Sequence, residues 1–198
     1  MGILKDLTKE YFGEKVRKED EINIEGLKVE IVTFTDKNGN FHKRGYKPKS
    51  LYNLIDLLKR MIEVRGDEGD FNDIDTSEIK SMELLFAINK FNGNISGWDV
   101  SKVKNMGCTF EGAKSFNQDI SKWEFPNVTN MTGMFSGAKS FNQDISNWKF
   151  PNVEDMSGMF WGAKSFNQNL SEWDLNRINT KFIFFLCPIK DEFKPKMK

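Results

Sequence analysis

WEFPNVTNMTGMFSGAKSFNQDIS, residues 123–146, decides the fold, because the chain repeats it on both sides. WDVSKVKNMGCTFEGAKSFNQDIS (98–121) precedes it and WKFPNVEDMSGMFWGAKSFNQNLS (148–171) follows. Phe91, Phe116, Phe141 and Phe166 therefore share one spacing of 25 residues, as do Trp98, Trp123, Trp148 and Trp173. Two aromatic types on one period indicate stacked copies of one unit, since a single copy cannot bury its own apolar face. An earlier copy, from Ile74, carries Ile in the Trp column. A last copy keeps Trp173, Leu175 and Ile178, then departs into an apolar run, 182–189, expected to fold over the end as a cap. Within the central copy, Trp123, Val128, Met131, Met134, Phe135, Phe141 and Ile145 are expected to face inward. The column Asn92, Asn117, Asn142, Asn167 predicts a ladder of side-chain amides that pair loop backbone groups. Gly112, Gly137 and Gly162 mark a turn.

Residues 1–70 lack the period and read as an N-terminal cap, followed by the repeats (71–181) and a C-terminal cap and tail (182–198). Ile3, Leu4, Leu7 and Tyr11 lie at helical spacing. Ile22, Ile24, Val29 and Ile31 alternate as in a strand, and the Asn38-Gly39 pair, able to take positive φ, predicts a hairpin returning through 41–46. Ser50 can cap a helix whose apolar face is Leu51, Leu54, Ile55, Leu58, Met61 and Ile62, ending near Gly66. The fold class expected is α/β: a solenoid with short parallel strands behind a cap of helix, β-hairpin and helix.

The strings NMTGMFSGAKSFNQDISNW and NVTNM closely resemble the mycoplasma-type repeats of the leucine-rich-repeat superfamily found in BspA-like bacterial surface proteins. Residues 46–82 resemble the helical lead-in to such repeats. The resemblance covers about residues 46–180. It implies a curved leucine-rich-repeat-like solenoid with one short parallel strand per coil, placed near FNQDIS, and a role in binding macromolecules.

The balance of 29 basic against 29 acidic residues provides no global field toward nucleic acid or membrane. No secretory leader and no apolar run near the ~20 residues of a membrane span is visible. A soluble, cytoplasmic protein is expected, or a surface protein if a leader has been removed. Cys108 and Cys187 fall three coils apart, about 14 Å at ~4.8 Å per coil, too far for a disulfide, which needs Cα atoms within about 7 Å.

No converging set of catalytic or metal-ligating groups is present, and no cofactor is expected. His42, the one histidine, reads as an exposed loop residue without a partner. Cys108 stands in the column of Gly133 and Gly158 and reads as a buried, inert thiol. Residues 36–40 begin like a calcium loop, but Lys47 stands where its bidentate Glu is required, so they are assigned to the hairpin. Sequons at Asn94, Asn127, Asn130 and Asn169 all lie within the repeat consensus and need no glycan. Lys43, Arg44, Lys47 and Lys49 form a basic hairpin for which a solvated surface is preferred over nucleic-acid contact.

Recognition is expected from columns that the core does not constrain. Gly97, Lys122, Asn147 and Glu172 form one; Asp99, Glu124, Lys149 and Asp174 another. Both flank the Trp column and should point outward. Trp161 stands among Glu111 and Ser136 and reads equally as an interface anchor or as part of the C-terminal cap. Phe125-Pro126 and Phe150-Pro151 are expected to pack on the coil corner. The candidate partner-binding residues are thus Lys122, Glu124, Asn147, Lys149, Trp161, Glu172 and Asp174. The function expected is non-enzymatic binding of a protein partner, with a nuclease or ribonucleoprotein complex as candidates and homo-oligomerisation through the C-terminal end as a further option. The alternatives are a mobile-element inhibitor of a host defence nuclease, in the manner of an anti-CRISPR protein, and a fragment of a bacterial surface adhesin.

Overall fold

The computed structural model describes residues 24–196, with the side chains of Lys43 and Arg44 outside the description. The expected helix at 3–11 and the start of the alternating run at Ile22 lie outside the described residues. Strand β1 (Val29–Thr35) pairs antiparallel with β2 (Phe41–Pro48), and helix α1 (Leu51–Arg65) follows. β1 begins later than the alternation suggests, because Gly26 takes φ +78° in a turn before it. Register slips between Val32 and Phe34. There the Phe34 ring lies so close over Gly45 that a Cβ at this position would collide with it.

α1 is bounded by its own chemistry. The Ser50 hydroxyl accepts from the Asn53 amide at 3.2 Å, and Gly66 ends the helix at φ +75° with its amide donating to the Ile62 carbonyl. Its fully buried face is Leu54, Leu57, Leu58 and Met61. Leu51, Ile55 and Ile62, read as part of that face, are only partly buried, and Leu57 takes the central place instead. Arg65 ties the helix end to the first repeat through a two-pronged pair with Asp73, 2.7 Å each.

Beyond α1 the 25-residue copies lie side by side, and the hydrogen bonds show how. In the central copy the amides of Met134, Ser136 and Ala138 close turns onto Met131, Gly133 and Phe135. The alternate amides, of Met131, Gly133, Phe135 and Gly137, donate instead to the carbonyls of Asp155, Ser157, Met159 and Trp161 in the next copy. Along this segment alternate amides thus shape the copy and join it to its neighbour. Isolated parallel bridges mark the junctions: Ser81 to Asn105, Asn105 to Asn130, Asn130 to Asp155 and Asp155 to Asn179. Between the full copies the backbone ladder therefore runs through the Asn-Met segment, and not through FNQDIS as the family resemblance implied; the equivalent segment of the earlier copy, 91–96, does pair by backbone, with Asp70 bridged to Asn94.

FNQDIS is joined by side chains. Each Asn carbonyl of the 92, 117 and 142 column accepts the backbone amide of the next member at 2.9 Å, and Asn167 accepts from Lys190 at 3.0 Å. Sequon side chains also carry structural bonds: Asn127 donates to the Ser101 carbonyl at 2.7 Å and Asn130 to Asn105 at 2.9 Å.

The core is one aromatic column after another. Phe86, Phe110, Phe135, Phe160 and Phe184 stack at 5.4–5.7 Å between successive centroids. Each of the first four also stacks on the Phe of its own copy's second column at 3.9–4.2 Å. The buried indoles of Trp98, Trp123, Trp148 and Trp173 donate backward to carbonyls of the preceding copy, Phe71, Ile95, Ile120 and Ile145. A Trp at this position both fills volume and gives a second hydrogen bond to a carbonyl that already accepts a backbone amide of its own turn.

The C-terminal run behaves differently from a lid. The carbonyls of Asn179, Lys181, Ile183 and Phe185 accept from Met156, Gly158, Phe160 and Gly162, so the run adds a further rung instead of folding across the end. The boundary drawn at 181 falls inside that rung. A short 3-10 turn, Asp191–Phe193, follows. Among the described residues no helix is long and apolar enough to cross a membrane.

Candidate functional site

The hairpin tip organises one end of the variable face. Asp36 has a fully buried carboxylate that accepts the amides of Asn38 and Asn40 at 2.9 Å, the Asn40 side chain at 3.1 Å and His42 Nε2 at 3.0 Å. Burial opposes its charge, but the bonds from His42, Asn40 and Asn38 outweigh that and hold its pKa below the usual carboxylate value. His42 therefore has a partner, contrary to the sequence reading, and its ring stacks on Phe34 at 5.0 Å.

This tip docks on the end of the earlier copy, just before Trp98. The Lys37 amide donates to the Gly97 carbonyl at 3.0 Å, and the Asn38 side chain donates to the Ser96 hydroxyl at 2.8 Å. A Cβ on Gly97 would stand 2.8 Å from an Asp36 oxygen. Gly97 is thus a buried docking residue, not an outward member of the variable column. Glycine is required there by the close approach of the loop.

Beyond the docked tip the variable columns are open. Lys122, Glu124, Asn147 and Lys149 line one groove of about 580 Å³, with Lys37, Phe125, Pro126 and Pro151. A second groove of about 750 Å³ holds Glu172, Asp174 and Arg177, and shares Lys149 and Pro151 with the first. Six of the seven predicted partner-binding residues are brought together along this face. The first groove sets three lysines against one glutamate, and the second adds two carboxylates. Lys122 donates to Asn38 at 3.1 Å, which links groove to hairpin. Asn147 donates to the Ser121 carbonyl at 3.0 Å. Among the described residues, Lys149 and Glu124 engage no side-chain partner.

The Phe-Pro pairs pack as corner residues. Phe125 is buried edge-on to Trp148 at 4.6 Å, and Phe150 meets Trp173 the same way at 4.7 Å, leaving Pro126 and Pro151 on the groove floor. Trp161 lies apart from both grooves, in ring contact with Phe182 at 5.8 Å and Phe185 at 5.1 Å, and stays 43% exposed.

The basic hairpin is largely neutralised where its side chains are described. Lys47 pairs with Asp75 at 3.0 Å and Lys49 with Glu30 at 2.9 Å. The acids come from distant sequence, so the window of basic residues read as unopposed. Lys43 and Arg44 have side chains outside the description. Cys108 is partly exposed rather than buried. Its thiol is pushed up to about 11, first by burial and then by Glu111, so little thiolate exists near neutrality.

A family model described as "Mycoplasma protein of unknown function, DUF285" matches residues 55–173. The chain belongs to this family. The mycoplasma-type reading of the repeat strings is thereby borne out, and the family is a bacterial one. The DUF285 match begins within α1 and ends at Trp173, so it contains the docking glycine, the first groove apart from Lys37, and part of the second. No curated protein and no solved structure matches the chain.

Proposed function

We propose that this DUF285 chain is a non-enzymatic protein-binding module, a leucine-rich-repeat-like solenoid that recognises its partner through the joined grooves of the variable face. The observation that carries the reading is the grouping of Lys122, Glu124, Asn147 and Lys149 around Phe125, Pro126 and Pro151, with Lys149 and Glu124 unengaged. Charged heads over an aromatic and proline floor suit a protein segment of mixed charge, and a face held by ladders on both sides loses little entropy on binding. The chemically interesting side chains support the same reading. His42 is spent on Asp36, and Cys108 is held as a thiol.

The test is affinity capture from a lysate of the encoding bacterium, with wild type and a Lys122→Glu, Lys149→Glu variant shown by circular dichroism to be folded. A protein retained by wild type and lost by the variant is the expected outcome, with a Trp161→Ala variant behaving as wild type. Equal retention by both charge forms sinks the reading. A nuclease complex among the captured proteins supports the inhibitor reading, whereas the adhesin reading requires a host surface protein and is tested by the same capture from an extract of host cells.

A further inference from the structure

Neighbouring copies do not stand equally close all the way round. Phe86, Phe110, Phe135 and Phe160 stack at 5.4–5.7 Å where the amide ladder joins their copies. At the Phe-Pro corner, Phe125 and Phe150 stand 6.5 Å apart, and no backbone bond links 121–126 to 146–151. Among the described residues, the amides and carbonyls of Lys122, Glu124, Asn147 and Lys149 therefore bond to no protein group. All four residues line the first groove, so its walls present open backbone beside charged heads. The cations come from three separate elements: Lys37 from the hairpin, and Lys122 and Lys149 from successive copies. They face one lining carboxylate, Glu124, with Asp99 at the margin, 3.8 Å from Lys37. Lys37 belongs to no repeat column and reaches the groove only because the hairpin tip is docked, through its own amide on Gly97 and through Asn38 on Ser96.

Resting on the groove reading above, we propose that the part of the partner lying in the first groove is an extended acidic segment, and that Lys37 is a specificity-determining residue added to the repeats by the hairpin. Three ammonium groups against one carboxylate complement acidic side chains. The open walls call for a peptide backbone, which supplies both acceptors and donors, whereas a phosphodiester chain supplies acceptors only. Nucleic acid also lacks a platform here, because Trp123, Phe125 and Trp148 are at most 3% exposed and no ring is free for a base to stack on. Among the described residues a second copy has no free acidic strand to offer. Its run 67–70 is tied down by the carbonyls of Asp67 and Gly69, which accept from Asn92 and Asn94, and Asp191 and Glu192 pair with Lys194 and Lys190. Because Lys37 reaches the groove only from the docked hairpin, binding and docking are linked, and each must strengthen the other.

The probes are the peptide acetyl-EDEDED-amide, its basic counterpart acetyl-KRKRKR-amide and an oligothymidylate. Each is titrated into the full chain and followed at the amide resonances of Lys122, Glu124, Asn147 and Lys149. We expect the acidic peptide to saturate shifts at these four amides and to slow exchange of the Lys37 amide, with the other two probes weaker by about tenfold or more. Lys37→Ser, at an exposed position, should weaken the acidic peptide about threefold. Gly97→Ala, which displaces the hairpin tip without touching the groove, should weaken it equally, and the two changes together no further than either alone. Lys139→Glu, at a lysine that lines neither groove, should bind as wild type. Equal affinity for all three probes overturns the proposal, as does absence of binding at millimolar peptide, wild-type affinity in Lys37→Ser, or an equal loss in Lys139→Glu. Shifts at the four amides that grow with protein concentration alone assign the groove to a second copy and also overturn it. If the peptides fail while lysate capture still separates wild type from the Lys122→Glu, Lys149→Glu variant, the binding-module reading stands with a partner that is not acidic; if both fail, both readings fall.

Discussion

The inner copies and the two outermost rungs share a backbone but not a sequence. Positions 84, 108, 133, 158 and 182 all take positive φ, and so do 88, 112, 137, 162 and 186. The inner members are glycine except for Cys108, while the outer ones are Leu84, Ile88, Phe182 and Leu186. Positive φ at the third residue of a turn costs glycine nothing, whereas a side chain there is strained, above all a β-branched one such as Ile88. The conformation is therefore imposed by the ladder: once a neighbour's carbonyls demand alternate amides, the rung adopts the turns whatever residues it carries. Glycine follows from the geometry in the middle, and the ends spend stability on apolar side chains that the middle does without.

The largest effect expected from this comparison lies in the aromatic column. Phe141→Ala, fully buried between Phe116, Phe135 and Phe166, should destabilise by roughly 3–5 kcal/mol in denaturant unfolding. Phe184→Ala, with its outer face open, should lose less than half of that; equal losses would erase the distinction between middle and end. Exchanging the turn residues sharpens it. Gly137→Ile should destabilise by about 1–3 kcal/mol, whereas Ile88→Gly, at a residue 84% exposed, should be neutral or stabilise by up to about 1 kcal/mol. The same sign for both would refute the account of the strain. Trp148→Phe, which removes the indole bond to the Ile120 carbonyl but leaves that carbonyl the amide of Trp123, should cost about 0.5–1.5 kcal/mol.

The hairpin dock predicts a pH effect. Asp36 has a folded pKa below its ordinary value, so its contribution is fully present above that ordinary value and fades as pH falls through the folded one. The amide of Lys37, bonded to Gly97, should begin to exchange faster only below about pH 4; loss of protection between pH 5 and 7 would assign the dock to another group. Smallest of all, Lys149→Glu should shift stability by no more than about 0.5 kcal/mol while removing the partner.

Most of the repeat was legible because it is written several times. Phe116, Phe141 and Phe166, the Trp column and the Asn ladder each recur at one spacing, so a role inferred for one copy is checked by the next. The variable columns were legible for the converse reason, as positions the repeat leaves unconstrained, and six of those residues do share one face. What had no second copy to compare was misread. His42 looked unpartnered and Gly97 looked outward because their shared neighbour, Asp36, is close only after the hairpin folds onto a repeat some 60 residues further along the chain. The basic window looked unopposed because Asp75 and Glu30 reach it from either side.

The amino-acid order alone determined the period, the inward columns, the turn glycines and the membership of the DUF285 family, since all of these are local chemistry repeated. Only the tertiary structure decided where the backbone ladder runs, that 179–187 adds a rung, and that the hairpin covers one end of the variable face. Those outcomes depend on which hydrogen-bonding groups remain unpaired after stacking and on contacts between distant segments, and neither has a spacing that can be read along the chain.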